Sequence, residues 1–302
     1  MKSISICLTL KENISTDKYL VSSLLSYVQQ DYINKKIIVI DGSENPVYKQ
    51  KIEKLNTNET IDYYHIPDKS SEEGFRNAIT KSSSDYIMFG TISDGLIQKN
   101  WISECLNNIR DSVAIFGLSK RMNENGLILG DDNPRLKKIL RDNILSNHLF
   151  FVGCQYILPE LNTIYNMTIF KSIIKKINTK IGIDLFLNIN SFLINNNFKI
   201  SYLEIYANYG RQHSGQLTYL QNRNLILFNQ KHIRILSNKS LKKIIFSSKL
   251  ELFNDKNQPT TYKINLKHKF ILIIFRLFYF RYHSSFPYYG LSNYLQRLNF
   301  KF

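Results

Sequence analysis

The sequence predicts an α/β fold, a mainly parallel sheet with helices on both faces, and three observations carry that prediction. Apolar runs recur at Ser3–Leu10, Lys36–Ile40, Ile61–Ile66 and Tyr86–Phe89. They are continuous rather than alternating, the pattern of strands buried on both faces. Helical patterns separate them, so strands and helices alternate through residues 3–110 as in a parallel sheet with crossovers. Polar residues close the runs: Thr9 and Glu12, Asp41, Asp68, then Ser93 and Asp94. In a parallel sheet these gather along one edge, and ligands of open α/β sheets bind beyond the carboxyl ends of the strands.

The elements follow in order. Ser3–Leu10 is the first strand. Leu20, Leu24, Leu25 and Val28 lie at helical spacing, with Thr16 or Asp17 as cap, predicting a helix to about Gln30. Lys36–Ile40 is a strand ending in Asp41-Gly42-Ser43. Asn45–Leu55 reads as a helix with Pro46 in its first turn. Ile61–Ile66 is a third strand and Ser71 opens a helix to about Lys81. Ser84–Leu96 holds a buried strand that stops abruptly at Gly90-Thr91-Ile92-Ser93-Asp94-Gly95, and Trp101–Arg110 is the next helix. Asp94 is thus a carboxylate at a strand tip, either a working group or a polar turn residue. Further on, Val113–Ser119 is expected as a strand and Arg121–Asn147 as a mobile loop with helical turns. Phe150–Leu158 is expected as a strand, Met167–Ile177 and Ile183–Asn195 as helices, and Lys199–Ile205 as a strand. Tyr209–Ser214 reads as a polar loop and Leu217–Ser237 as a long helix.

The chain has 302 residues, 43% of them apolar, enough for one large domain or two modest ones. Cys7, Cys105 and Cys154 are too few and too scattered for a disulfide framework or metal-ligand spacing, and Cys7 reads as a reduced core residue. Met1–Asn13 lacks the long apolar stretch and small-residue cleavage site of a leader, so a cytoplasmic location is expected. The net charge of +16 is uneven: from Lys231 onward 14 Lys or Arg face 2 acidic residues. Such a segment points to an anionic partner, either a membrane surface, a nucleic acid or a phosphorylated ligand, or else is a solvated charged face. No nucleic-acid motif accompanies it, and no nucleic acid is expected. Phe270–Phe280 is almost wholly apolar but eleven residues long and interrupted by Arg276, whereas a spanning helix needs about 20. It reads as an interfacial helix with Lys267, Lys269, Arg276 and Arg281 near headgroups, or as a helix packed on the main domain. These features divide the chain into a domain over 1–230, with halves 1–110 and 111–230, and a basic, aromatic, mainly helical extension over 231–302.

Within the first half several motifs stand in a telling order. Ser5-Ile6-Cys7-Leu8-Thr9 forms the opening strand, and Ser26-Tyr27-Val28-Gln29-Gln30-Asp31-Tyr32 carries an S-x-x-x-Q-x-Y signature. Lys36–Ser43 ends in DGS. Pro67-Asp68 and Gly74-Phe75-Arg76-Asn77-Ala78 precede the strand that leads to Asp94. This series resembles family 2 inverting glycosyltransferases of the bacterial surface-polysaccharide type, over residues 3–110 and more weakly over 150–215. The resemblance implies a Rossmann-like GT-A fold with a nucleotide-binding half over 1–110 and an acceptor half over 111–230. It further implies transfer from a nucleotide diphosphate sugar to a glycan or lipid-linked acceptor, with the protein peripheral on the inner membrane face.

By the same resemblance Asp41 contacts the nucleobase, Thr9 and Glu12 line the nucleotide pocket with Asp68 and Ser93, and Arg76 faces the base or phosphates, one residue off the family position. Asp94 falls on the last aspartate of the D-x-D-type motif, expected to bind Mg²⁺ or Mn²⁺, and His213, in an R-x-H segment, on a further ligand for the metal or for the diphosphate. Hard carboxylate oxygens suit such ions, which neutralise a departing diphosphate. The family's general base falls at Gly182, leaving Asp184 as the base or as a helix cap, and Glu160 is a candidate for acceptor contact. Only Asp94 is acidic where the family commonly has two acidic residues. That departure leaves open a second expectation, a non-catalytic nucleotide-sugar or glycan-binding protein that supports a partner enzyme.

Overall fold

A computed structural model of the chain describes residues 1–56, 60–132, 136–154, 158–177, 185–212 and 238–278. Its first half follows the predicted alternation: β1 (Ile4–Leu10), α1 (Ile14–Val28), β2 (Lys35–Asp41), α2 (Lys49–Leu55), β3 (Ile61–His65), α3 (Ser71–Lys81) and β4 (Tyr86–Thr91). A two-residue strand β5 (Gly95–Leu96) and α4 (Trp101–Asn108) complete it. The second half holds β6 (Ala114–Asn123), β7 (Ile128–Asp131), α5 (Leu136–Ile139), α6 (Ile144–Cys154), β8 (Ile164–Asn166), α7 (Met167–Lys176), α8 (Leu185–Asn195) and β9 (Ile200–Gln212). Helix α9 over residues 238–245, strands β10 (Lys249–Phe253) and β11 (Pro259–Lys263), and α10 (Leu266–Phe278) follow.

One mixed sheet runs in the order β3-β2-β1-β4-β8-β6-β9-β5, with β7 on β6. The pairs among β3, β2, β1 and β4 are parallel, β8 runs against both its neighbours, and β6 and β9 are parallel. Both faces are buried, which explains the continuous apolar strands. Ile4, Ile6 and Leu8 of β1 and Ile37 and Val39 of β2 enter the core with Leu20 and Leu24 of α1 and Trp101 of α4. The alternate residues Cys7, Ile38, Ile40, Ile87 and Phe89 enter the other core, with Phe75 of α3, Phe170 of α7 and Phe186 of α8. All three cysteines are buried free thiols.

Local details correct several expectations. Asn13, not Thr16 or Asp17, caps α1, its Oδ1 accepting the Thr16 N–H at 2.9 Å. Phe150–Leu158 holds no strand among its described residues. Its Phe150–Cys154 part belongs to α6, in which eight consecutive residues, Asn147–Cys154, are buried. A helix surrounded by protein loses its polar stripe, and a short apolar run then gives no period to read. The described residues of Arg121–Asn147 form not a mobile loop but the end of β6, the hairpin strand β7, α5 and the start of α6. Tyr209–Gln212 belongs to β9 rather than to a loop. The extension contains a hairpin, β10–β11, besides its helices. Leu217–Ser237 lies outside the described residues.

The residues of the S-x-x-x-Q-x-Y signature act as scaffold. Ser26 Oγ accepts the Leu96 N–H at 3.0 Å, Gln30 donates to the Gln98 carbonyl at 2.8 Å and its Oε1 accepts the Ile102 N–H at 3.3 Å. Tyr32 donates to the Lys2 carbonyl at 2.5 Å. The end of α1 is thereby tied to β5, α4 and the N-terminus.

Candidate functional site

The sheet register brings the strand-end residues together. Leu10 pairs with Asp41, Asp41 with His65, and Thr9 with both Ile40 and Thr91. Parallel strands of matched length end side by side, so four carboxyl ends form one edge.

Asp41 is the centre of one half of that edge. It is fully buried, its Oδ1 accepts the Ser43 N–H at 3.0 Å, and its Oδ2 accepts the Tyr63 hydroxyl at 2.6 Å. Burial, with the Asp41 carboxylate beside it, pushes the Tyr63 phenol well above the ordinary tyrosine range. Ser43 Oγ accepts the Glu12 N–H at 2.8 Å, and the Ser43 carbonyl meets His65 Nε2 at 2.9 Å. Glu12 and Asp41 are thereby brought together by the Asp-Gly-Ser end of β2, and the register places Thr9 beside Ile40.

Asp68 closes over this group. Its backbone N–H donates to the Gly42 carbonyl at 3.3 Å, and its carboxylate lies so close that a Cβ on Gly42 would stand 2.2 Å from Oδ2. A Cβ on Gly74 of α3 would stand 2.8 Å from the same oxygen and 3.0 Å from Thr9 Cγ2. The two glycines are thus the space in which Asp68 sits. Lys11 Nζ donates to the Asp68 carbonyl at 2.8 Å and lies 3.9 Å from its carboxylate. Burial raises the Asp68 pKa, the Glu73 and Asp41 charges add to that rise, and Lys11 and the Ser70 N–H oppose it. Asp68→Asn, which removes that disfavoured charge at constant shape, should therefore raise the melting temperature. Thermal melting of the variant beside the parent protein measures the effect.

Asp94 organises the other half. It is 7% exposed. Thr91 Oγ1 donates to its Oδ2 at 2.7 Å, and the Arg211 backbone N–H donates to its Oδ1 at 2.6 Å. Arg211 Nε donates to the Ser93 carbonyl at 3.0 Å, and its guanidinium lies 4.3 Å from the Tyr19 ring centroid and 5.3 Å from that of Tyr209. Burial raises the Asp94 pKa, while the Thr91 hydroxyl and the Arg211 N–H and charge pull it back. The carboxylate joins the end of β4 to the end of β9.

The other expected residues divide. Glu160 belongs to a 3-10 turn, Glu160–Asn162, packed against β4, β6 and β9. In that turn Asn162 is fully buried and its Nδ2 lies 2.9 Å from Asn208 Oδ1 and 3.0 Å from Ser119 Oγ. Arg76 places Nε and Nη2 each 3.1 Å from Glu72 Oε1 on its own helix. Asp184, the residue before α8, and His213, the residue after β9, lie outside the described residues. Among the described residues no group of three His, Cys, Asp or Glu side chains is placed to hold a metal ion. Sequence reasoning missed Tyr63, Ser43, His65 and Lys11 around Asp41 and Asp68. It also missed Tyr19 and Tyr209 around Arg211. Tyr63 carried a faint signal, a tyrosine inside a strand two residues before its end.

The fold of this chain is of the GT-A glycosyltransferase type. S. aureus TarS, residues 1–349 in complex with UDP-GlcNAc, superposes with a TM-score of 0.59 at 14% identity, over 98% of this chain and 75% of that one. The same TarS fragment in complex with UDP gives 0.56 at 14% identity, over 99% of this chain and 75% of that one. No protein-family model matches the chain, and no curated protein matches it. At this identity the likeness is one of fold.

Proposed function

We propose that the protein is an inverting glycosyltransferase that moves a sugar from a nucleotide diphosphate donor to a glycan or lipid-linked acceptor in bacterial surface-polysaccharide synthesis. The observation that carries the reading is the placing of Asp41, Asp68 and Asp94 at the carboxyl ends of β2, β3 and β4 along one sheet edge, in a fold that TarS shares with UDP-GlcNAc bound. In this reading Asp41, with Tyr63 and Ser43 fixing its carboxylate, meets the nucleobase, and Thr9, Glu12, Asp68, Arg76 and Ser93 line the nucleotide sugar. Glu160 orients the acceptor. Asp184 takes the proton of the acceptor hydroxyl as its oxygen bonds to the anomeric carbon and the bond to the diphosphate breaks. The nucleoside diphosphate leaves with that electron pair.

Mg²⁺ or Mn²⁺ belongs to the proposal through Asp94 and His213, where it would neutralise the leaving diphosphate. The described residues alone do not make a metal site, since Asp94 stands without a second acidic partner and both its oxygens already accept hydrogen bonds. That same observation favours a second reading, a nucleotide-sugar-binding protein without catalysis that supports a partner enzyme. Two measurements separate them. UDP affinity that rises with Mn²⁺ and falls with chelator, together with slow release of sugar from UDP-GlcNAc, supports the enzyme. Metal-independent UDP binding without sugar release supports the second reading. Absence of binding to any nucleoside diphosphate refutes both.

A further inference from the structure

The C-terminal unit of the described chain has two unlike sides. Its inner side is core: Ile244 of α9, Leu250 and Leu252 of β10, Ile264 just after β11, and Leu272 of α10 are all buried. α10 packs on α6 so closely that a Cβ on Gly153 would stand 2.7 Å from Phe275 Cβ, and the Phe150 and Phe275 rings meet edge to face at 5.3 Å. Its outer side carries large apolar residues in water: Phe246 at 86% exposure, Leu266 at 83%, Phe270 at 64% and Ile273 at 40%. At 100° per residue Leu266, Phe270 and Ile273 fall on one stripe of α10, opposite Leu272 and Phe275. Lys267 and Lys269 fall on either flank of that stripe.

The hairpin adds to this surface. Lys249 pairs directly with Lys263 at its open end, both exposed, and the Ile264 N–H donates to the Ser248 carbonyl at 2.8 Å. This pairing sets Phe246 and Leu266 within three residues of the two lysines. Like charges directly opposite one another destabilise a ladder unless an anion offsets them. Residues 238–278 carry nine Lys or Arg against Glu251 and Asp255. An apolar stripe flanked by lysines has the chemistry of a helix lying in a lipid interface, with the apolar side chains below the headgroups and the ammonium groups among them. A second copy of the chain would bring the same excess of positive charge to the contact. Among the described residues no helix is long and apolar enough to cross a membrane.

We propose that the face made by Phe246, Leu266, Phe270 and Ile273, with Lys249, Lys263 and Lys267, docks on an anionic phospholipid membrane. The inference gives a place to the peripheral attachment expected from the sequence and does not depend on the nucleotide-sugar reading. Removing the whole extension would expose core around Leu252 and Leu272, so single exposed side chains make the cleaner test.

The full chain is sedimented with vesicles of phosphatidylcholine and with mixed vesicles of phosphatidylcholine and phosphatidylglycerol, and UDP binding is measured in parallel. Binding to the mixed vesicles alone is expected, weakening in added salt. The double variant Phe246→Ser, Phe270→Ser should bind them about tenfold or more weakly, and Lys263→Gln about fivefold, each with unchanged melting temperature and UDP affinity. Equal binding to both vesicle types, or unchanged binding by the double variant, overturns the proposal. So does a dimer that the double variant converts to monomer, which would make this face a self-association surface. Lipid binding without UDP binding would sink the nucleotide-sugar reading and leave this one standing.

Discussion

Replacing Asp94 with alanine is expected to lower stability by about 2 kcal/mol and to abolish nucleotide diphosphate binding. The carboxylate is buried and accepts from Thr91 Oγ1 and from the Arg211 N–H. Alanine leaves both donors without that acceptor, and a buried unsatisfied donor costs about 1–3 kcal/mol. Some of that is returned because burial already disfavours the charged form. For a chain of this size the melting temperature should fall by roughly 3 °C. Asp94→Asn separates the two roles the residue could play. Its amide oxygen can accept the Arg211 N–H, and the Thr91 hydroxyl can rotate to accept from the amide nitrogen. The asparagine variant should therefore melt close to the parent protein. If UDP binding in Mn²⁺ stays lost in that variant, the charge itself acts on the ligand. If binding returns with the fold, Asp94 is a lock between β4 and β9 and the metal proposal fails at this residue.

Acid should unfold the protein through His148. This side chain lies in the buried run of α6. Among the described residues no well-formed hydrogen bond reaches either ring nitrogen. Burial therefore dominates, and a contact with Asn197 opposes it without cancelling it, leaving the imidazole pushed down to about 4 from an ordinary 6.5. A depressed histidine contributes its full share of stability above the unfolded pKa, where both states are neutral. Between pH 6.5 and 4 the unfolded chain takes up a proton that the folded chain refuses, so stability falls with pH. A shift of this size corresponds to about 3 kcal/mol lost by pH 4. His148→Leu should flatten that part of the profile, read from urea midpoints across the range. A profile that keeps its slope in the variant would locate the acid sensitivity elsewhere. Asp85 and Asp131, whose pKa values hydrogen bonds hold low, lose their contributions only at more acidic pH.

The first half of the chain was legible because its information is local. A strand buried on both faces writes itself as an apolar run, as in Lys36–Ile40, and a strand end writes itself as polar residues, as in Asp41-Gly42-Ser43. The parallel register then follows from helical crossovers of similar length. The second half was less legible because its elements depend on neighbours. β8 has three residues and β5 two, too few for any period, and they exist because β4, β6 and β9 offer unpaired edges. α6 looks like a strand in sequence because Asn147–Cys154 is buried around the whole circumference of the helix. β9 runs on through Tyr209–Gln212, polar residues that pair with β6 and β5.

The candidate site divides in the same way. Sequence by itself determined the α/β class, the strands of the first half and the acidic residues that end them, because side-chain hydrophobicity along a strand or helix is a one-dimensional signal. Only the tertiary structure decided what those residues touch. Tyr63 holds Asp41 from 22 positions away, and Arg211 holds Asp94 from 117 positions away. Such contacts arise when separate strands end together, and no local pattern of residues records them. The same reason sharpens Asp94 itself, whose carboxylate the sequence offers to a metal and whose two oxygens the fold has already bonded to Thr91 and Arg211.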